Sequence, residues 1–273
     1  MTEIIHYFDT IPSSHRALIL AGGIALFWMI ESVVPFFKFK YNKWQHAGIN
    51  IFFTVTTIII NFTLAFILLK TADYVTQNNF GILNWLPKMN SWTYALVGLL
   101  LMDFIGAYLA HYTEHKVKIL WRFHLIHHSD TYIDTTSGNR HHPGESVIRF
   151  IFTTLGVLIV GSPMWLVFMY QTLSVVATQV THANICLPKK MDKLMSFILV
   201  SPDMHKIHHH YKLPYTDSNY GNIFSIWDRL FGTFNYTPIE QIRFGLDVLP
   251  DETTGDFRFQ MGVPFNHSIK TDN

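Results

Sequence analysis

Cysteine occurs once in the 273 residues, at Cys186. A single thiol closes no disulfide within the chain, and thiolate metal centres need several, so neither framework is available here. Charge is also scarce. Asp, Glu, Lys and Arg make up 14% of the residues, against roughly 25% in soluble domains. The net charge is +1, which offers no polyelectrolyte surface and argues against a nucleic-acid partner. The His-Glu-x-x-His run of helical zinc hydrolases is missing as well.

The deficit of charge is concentrated in long apolar runs. Residues 17–37 are apolar apart from Glu31 and Ser32, residues 49–69 carry no charge, and residues 92–110 carry only Asp103. About 20 apolar residues cross the hydrocarbon core of a bilayer, so each run predicts a span. The first is expected to remain in the protein, since no small-residue cleavage site follows it. A further apolar stretch at 147–181 is broken by Gly161-Ser162-Pro163, which predicts a helical hairpin. Residues 1–15 read as a tail or short interfacial helix. Residues 70–91 read as a polar connection with turn signals at Asn78-Asn79, Gly81 and Pro87, and residues 183–273 are mixed in character. Lys38, Lys40 and Lys43 follow the first span, and the positive-inside rule puts them in the cytoplasm. The third span then returns to that side, where His111 emerges with Lys116, Lys118 and Arg122.

Histidine is the residue in excess. Twelve of the 16 histidines lie between positions 111 and 210. His111 and His115 are four apart; His124, His127 and His128 repeat the helical spacing, and His205, His208 and His209 repeat it again. Residues three or four apart share a helix face, so two imidazoles reach one ion. Eight imidazoles exceed the needs of one ion and suit two. Imidazole binds zinc, copper, nickel and iron alike, so spacing leaves the metal open. The expected fold is an all-α integral membrane protein: about three transmembrane helices plus a helical hairpin, with a cytoplasmic helical cap carrying a polyhistidine dinuclear metal site.

These boxes come with Arg140-His141-His142-Pro143, Asp217-Ser218-Asn219-Tyr220-Gly221 and Trp227-Asp228-Arg229-Leu230-Phe231-Gly232-Thr233. Together they resemble the fatty acid hydroxylase/sterol desaturase superfamily over residues 103–233, about half the chain. The His-Ser-Asp run at 128–130 and the last box are most similar to bacterial members and to the alkylglycerol monooxygenase branch. The resemblance implies two iron ions, O2 and an external electron donor, cytochrome b5-like or ferredoxin-like. The reaction it implies is hydroxylation or desaturation at an unactivated C–H bond of a lipid or sterol-like substrate from the bilayer. Carried over by position, the ligands are His111, His115, His124, His127, His128, His205, His208 and His209. His142 of the His-Pro element and His182, after the hairpin, complete ten.

His141 and His210 neighbour these positions but fall outside the pattern, and His6, His15, His46 and His267 have no partner at metal spacing. Asp103, eight residues before His111, is expected to accept a hydrogen bond from a ligand imidazole. Glu114 reads as such an acceptor or as a solvated helix residue. Asn184, two residues after His182, is expected to hydrogen-bond near the metals. Residues 217–221 are expected to shape the loop that closes the site, with Trp227, Phe231 and Phe234 as core or interfacial aromatics. Residues 1–92 form the expected tail and first two spans, 93–235 the catalytic domain and 236–273 a cytoplasmic tail. A bacterial inner membrane is preferred, or the endoplasmic reticulum in a eukaryote, because Lys270 to Asn273 carry no retention signal. A membrane metal transporter and a zinc-dependent membrane hydrolase are the competing readings.

Overall fold

The computed structural model describes residues 1–269; the Lys270–Asn273 stretch lies outside the described residues. The architecture is helical, and among the described residues the only strand-like pairing is one isolated bridge, Leu199 to Phe224. A short helix α1 (Thr2–Asp9) precedes α2 (Ser13–Val33). Next come α3 (Lys43–Gln77) and α4 (Ser91–Lys116). The histidine-bearing α5 (Lys118–His128) is followed by the hairpin α6 (Pro143–Val160) and α7 (Met164–His182). The chain closes through α8 (Pro202–His208) and α9 (Phe257–Gly262). Helices α2, α3, α4 and α6 are long and apolar enough to cross a membrane.

Local chemistry sets the ends of these helices. Asn42 caps α3 by accepting from the Gln45 N–H, and Asn90 caps α4 by accepting from Trp92 and Thr93. Pro143 and Pro202 open α6 and α8, where the missing N–H costs nothing. Gly161 ends α6 at φ 78°, a left-handed conformation that glycine adopts without strain. Pro163 then restarts the chain as α7, so the apolar stretch folds back as a hairpin.

Helix α3 continues to Gln77, eight residues past the end expected at Leu69. Its 35 residues give about 52 Å at 1.5 Å per residue, well beyond a ~30 Å hydrocarbon core. Residues 70–77 are therefore the end of a helix projecting past the membrane rather than a loop. Helix α4 is likewise continuous into the first histidine box, through a wide π-helical stretch at Phe104–Leu109.

Met102 and Ile105 of α4, Phe150 and Val157 of α6, and Leu166 and Tyr170 of α7 pack with Leu68 of α3 in one buried cluster. The turn at Gly81 touches Gly161 at the far end of the bundle, where Asn84 donates to the Gly161 carbonyl. At the other end lie the loop after α2, the C-termini of α4 and α7, and α5. There Tyr41 bonds Asp134 and Lys43 pairs with Glu31 at 3.1 Å. The basic loop and the histidines thus occupy one end of the bundle.

Residues 236–269 are not a free tail. Leu246, Leu249 and Val263 are buried against Phe53 of α3 and Trp121 and Leu125 of α5. Arg122 of α5 donates to the carbonyls of Val263, Pro264, Asn266 and Ile269. The buried Arg140 reaches the Thr254 carbonyl at 2.7 Å. The sequence reads as a tail because its apolar residues are few and lack helical periodicity. It folds because α5 presents an apolar face and a guanidinium to it.

Candidate metal centre

The end of the bundle that carries α5 gathers the histidines into two buried groups. His111, His115, His124, His128 and His208 form one, and His127, His182, His205 and His209 the other. Each ring is brought in by helical spacing on α4, α5 or α8, except His182, which ends α7, and His209, the residue just after α8. The groups adjoin: the rings of His128 and His209 stack 4.6 Å apart, and those of His127 and His209 lie at 4.6 Å.

In the second group the Nε2 atoms converge. His127 and His182 are 3.3 Å apart, His182 and His205 3.1 Å, and His205 and His209 3.2 Å. Imidazoles bound at 2.0–2.1 Å to a common ion stand roughly 3.3 Å apart in a tetrahedron and roughly 2.9 Å at octahedral edges. In the first group His124 and His128 approach at 3.2 Å through Nε2, and the buried Nε2 atoms of His111, His115 and His208 find no hydrogen-bond partner. Converging lone pairs on buried rings are costly unless a cation sits between them. The donor set therefore fits two metal ions, and being all imidazole it suits iron, zinc, copper or nickel.

The outward faces of several rings explain how they are held. Nδ1 of His111 donates to the Tyr220 carbonyl at 3.0 Å, Nδ1 of His208 to the Ser218 carbonyl at 2.6 Å, and Nδ1 of His182 to the Thr178 carbonyl at 2.9 Å. Nδ1 of His124 donates to Glu145 at 2.8 Å, and Nδ1 of His115 faces Asp217 at 3.4 Å. A hydrogen bond at Nδ1 fixes the tautomer that leaves Nε2 free to ligate. Residues 217–221 supply three of these five partners. The loop is itself clamped by Asp228, whose carboxylate accepts from the N–H groups of Tyr220 and Gly221 at 2.7 and 2.9 Å. Asn219, at φ 58°, bonds the backbone of Met204 and Asn235.

Burial and then the neighbouring imidazoles hold His127, His128, His205 and His209 well below the ordinary histidine range. His208 is held down in the same way, by burial and then by His115. Burial pushes His124 down to about 3 against the pull of Glu145. These rings are neutral at physiological pH, so protons do not compete with a metal for their lone pairs.

His142 lies outside both groups. It caps α6, with Nδ1 accepting from the Gly144 N–H at 3.0 Å and Nε2 3.3 Å from the Met261 carbonyl. The adjacent His141 turns inward instead, stacking on His127 at 4.9 Å and bonding Glu145 at 2.7 Å. Two histidines side by side before a proline look alike in sequence, and only the cap geometry tells them apart.

Asp103 reaches no histidine. Its oxygens accept from the N–H groups of Ile223 and Phe224 and from the Trp227 indole. Asp103 thus ties the loop that holds Tyr220 to a spanning helix. Asn184 is occupied by the backbone of Phe37, at 2.8 Å on both its oxygen and its nitrogen, and not by the histidine groups. Glu114 is buried and pairs with Arg149 at 2.9 Å, with His124 at 3.7 Å.

Glu145 and Arg149 escaped the sequence reading. One oxygen of Glu145 takes His124, His141 and Arg149 together. The available signal was a carboxylate and a guanidinium four apart at the start of an apolar helix. His46, which has no partner at metal spacing in the sequence, is buried between Asp130 at 2.8 Å and Asp134 at 3.2 Å. Its partners are more than 80 residues away, beyond the reach of any spacing rule. His210 lies apart from both groups, accepting from the Arg243 N–H.

A family model described as fatty acid hydroxylase matches residues 95–233. The chain is 28% identical to ornithine lipid hydroxylase OlsE of Rhizobium tropici over 143 residues, 52% of this chain and 42% of that protein. It is 29% identical to alkylglycerol monooxygenase of Danio rerio over 211 residues, 76% of this chain and 45% of that protein. It is 30% identical to a cholesterol 25-hydroxylase-like protein of Danio rerio over 139 residues, 50% of this chain and 54% of that protein. The chain thus spans less than half the length of the first two of these relatives. No solved structure matches it.

Proposed function

Because the chain belongs to the fatty acid hydroxylase family, we propose that it is an O2-dependent hydroxylase of a membrane lipid, working through two irons held by its histidines. The observation that carries this reading is the pair of adjoining, buried imidazole groups at one end of an apolar helical bundle. In this reading His111, His115, His124, His128 and His208 hold one iron, and His127, His182, His205 and His209 the other. His141 stands beside them in the place first given to His142. Iron bound there supplies the activation of O2 and the removal of hydrogen from an unactivated carbon.

The chain's own part is to hold and seclude. The carbonyls of Ser218, Tyr220 and Thr178, with Glu145, keep imidazole Nε2 atoms inward. Burial keeps bulk water from the site. Asp103 and Asp228 lock the 217–228 loop over it. Hydroxylation converts C–H and O2 into C–OH and water, consuming two electrons and two protons. We assign the electrons to a separate cytochrome b5-like or ferredoxin-like carrier. The site faces the cytoplasm of a bacterium in this reading, following the lysines of residues 38–43. Residues 93–235 act as the catalytic segment, with 1–92 as its membrane anchor and 236–269 as its cover. A metal transporter is disfavoured because the histidines gather at one end of the bundle rather than along a path through it.

The test is metal content of the purified protein by mass spectrometry, beside His127→Ala and His208→Ala. Close to two irons per chain, lost from each variant, is the expected result. One metal per chain, or metal retained in both variants, overturns the dinuclear assignment. Lipid analysis of cells expressing active and variant protein then asks for a product that is heavier by one oxygen.

A further inference from the structure

Residues 189–199, a short helix Lys189–Met195 and the turn after it, have their polarity reversed. The only buried residues among them are polar, Asp192 and Ser196. Asp192 accepts from the Ser201 hydroxyl at 2.8 Å, the Asp203 N–H at 3.1 Å and the Tyr236 hydroxyl at 3.2 Å. The Ser196 carbonyl takes the Ser225 hydroxyl at 2.7 Å and the Arg229 guanidinium at 3.0 Å. The outward side chains are apolar. Met191, Leu194 and Ile198 follow one another at three and four residues, and Leu194 and Ile198 are 72% and 62% exposed. A surface segment in water shows the opposite arrangement.

The neighbouring chain fixes the level of this face. Leu199 bridges to Phe224, with Val200 donating to the Ile223 carbonyl and Ser225 to the Ile198 carbonyl, each at 3.0 Å. The helix Ile226–Leu230 that follows lies against α4. Trp227 and Phe231 meet Phe104 at 4.8 and 5.4 Å, and Phe231 stacks on Tyr108 at 5.5 Å. Phe104 belongs to the apolar run 92–110 and stands seven residues before His111. That is about 10 Å further into the span at 1.5 Å per residue. Leu230, 70% exposed, and the exposed Phe231 therefore sit at the level of the bilayer. An exposed apolar patch of this extent marks a contact surface.

The rim of the patch is positive. Arg229 lays its guanidinium over Phe197 at 4.7 Å and Phe234 at 3.8 Å, and Lys190 and Lys193 are exposed beside the apolar side chains. The acid of this region, Glu240, is taken by Lys189 at 2.7 Å. A second copy of the chain seated here across a two-fold axis brings the same cations against these. Phospholipid headgroups bring phosphate.

We propose that residues 189–199 and 229–231 form an in-plane membrane contact, additional to the spanning helices. Met191, Leu194, Phe197, Ile198, Leu230 and Phe231 enter the boundary between headgroups and acyl chains in the leaflet on the histidine side. Lys190, Lys193 and Arg229 meet lipid phosphates. An amphipathic segment in such a boundary lies about 5–10 Å deep. The contact leads straight into α8 and is tied through Ser196 and Leu199 to residues 224–229, so the bilayer braces elements that carry His205, His208 and Asp228. It does not depend on the hydroxylase reading.

The experiment places the full chain in phospholipid nanodiscs. Leu194→Cys, Ile198→Cys and Leu230→Cys are made one at a time in a Cys186→Ser background and labelled with an environment-sensitive fluorophore. Asp251→Cys is the water-side control, because Asp251 and Arg243 form an exposed ion pair. Two quenchers are compared, a lipid with a nitroxide near the headgroup end of its acyl chain and aqueous iodide. The labels at positions 194, 198 and 230 are expected to lose most of their emission to the nitroxide lipid and little to iodide, and the label at position 251 the reverse. Lys190→Glu combined with Lys193→Glu is expected to weaken nitroxide quenching at positions 194 and 198 in discs of acidic phospholipid. The three labelled side chains are exposed, and a variant that fails to fold leaves the other two to carry the test. Iodide quenching at all three positions overturns the proposal. Protection from both quenchers overturns it as well, since a second copy covering the face gives that result. Nitroxide quenching unmoved by the charge reversal overturns the pairing of the lysines with phosphate.

Discussion

At the scale of single residues, Glu145 joins two histidines and an arginine through one oxygen. Its Oε1 takes the Nδ1 atoms of His124 and His141 and the Nε of Arg149, all within 2.9 Å. Removing its charge while keeping its shape leaves Arg149 with Glu114 alone and offers His124 an amide in place of a carboxylate. Loss of such an outer partner commonly costs ten- to a hundredfold in metal affinity. Glu145→Gln is therefore expected to lose metal to a competing chelator about tenfold more readily, with the thermal transition of the metal-free protein moved much less. A variant that holds metal as the wild type does assigns Glu145 to packing alone. The local sequence marks only its pairing with Arg149 four residues on; its histidine partners come from α5 and from the turn before α6, and their convergence is a tertiary event.

At the scale of elements, α5 carries three histidines on one side and receives the C-terminal segment on the other. Arg122 makes that second contact, with four carbonyls between Val263 and Ile269 as acceptors. Lysine presents a point charge in place of a planar fork and does not span four carbonyls. Arg122→Lys is expected to destabilise the cover by about 1–3 kcal/mol and to expose residues 263–269 to limited proteolysis, with cleavage there preceding loss of helical signal. An unchanged digestion pattern shows that Leu246, Leu249 and Val263 hold the segment without the guanidinium. The π-helical stretch of α4 belongs to this scale too. It lies between Asp103, which serves the closing loop, and His111, which joins the first histidine group on the same helix.

At the scale of the whole molecule, the basic loop after α2 and both histidine groups share one end of the bundle, while the Gly81 and Gly161 turns share the other. The side of the membrane on which that end lies is set by the lysines of residues 38–43 in our reading. Cys186, the only cysteine and an exposed one, follows α7 at the histidine end. A membrane-impermeant maleimide is expected to label it in inverted vesicles and not in intact spheroplasts. Labelling from the outer side places the site outside the cytoplasm and reverses the orientation. A Cys186→Ser control accounts for all of the signal, since the chain has no other thiol.

Sequence alone determined the properties that are periodic or cumulative. Spans follow from the length of apolar runs, the hairpin from Gly161 and Pro163, and the gathering of imidazoles from histidines spaced three and four apart. Each of these depends on neighbours within a turn or two of helix. Tertiary structure decided everything that depends on which distant groups meet. It put His141 rather than His142 beside His127, and the His142 ring takes the Gly144 N–H at the start of α6 instead. It gave Asp103 to the loop at 223–227, buried His46 between Asp130 and Asp134, and folded residues 236–269 onto α5. In the last three cases the deciding term is a buried polar group that must find a partner once water is removed, and the partner lies far along the chain; His142 is decided locally, by the Gly144 N–H.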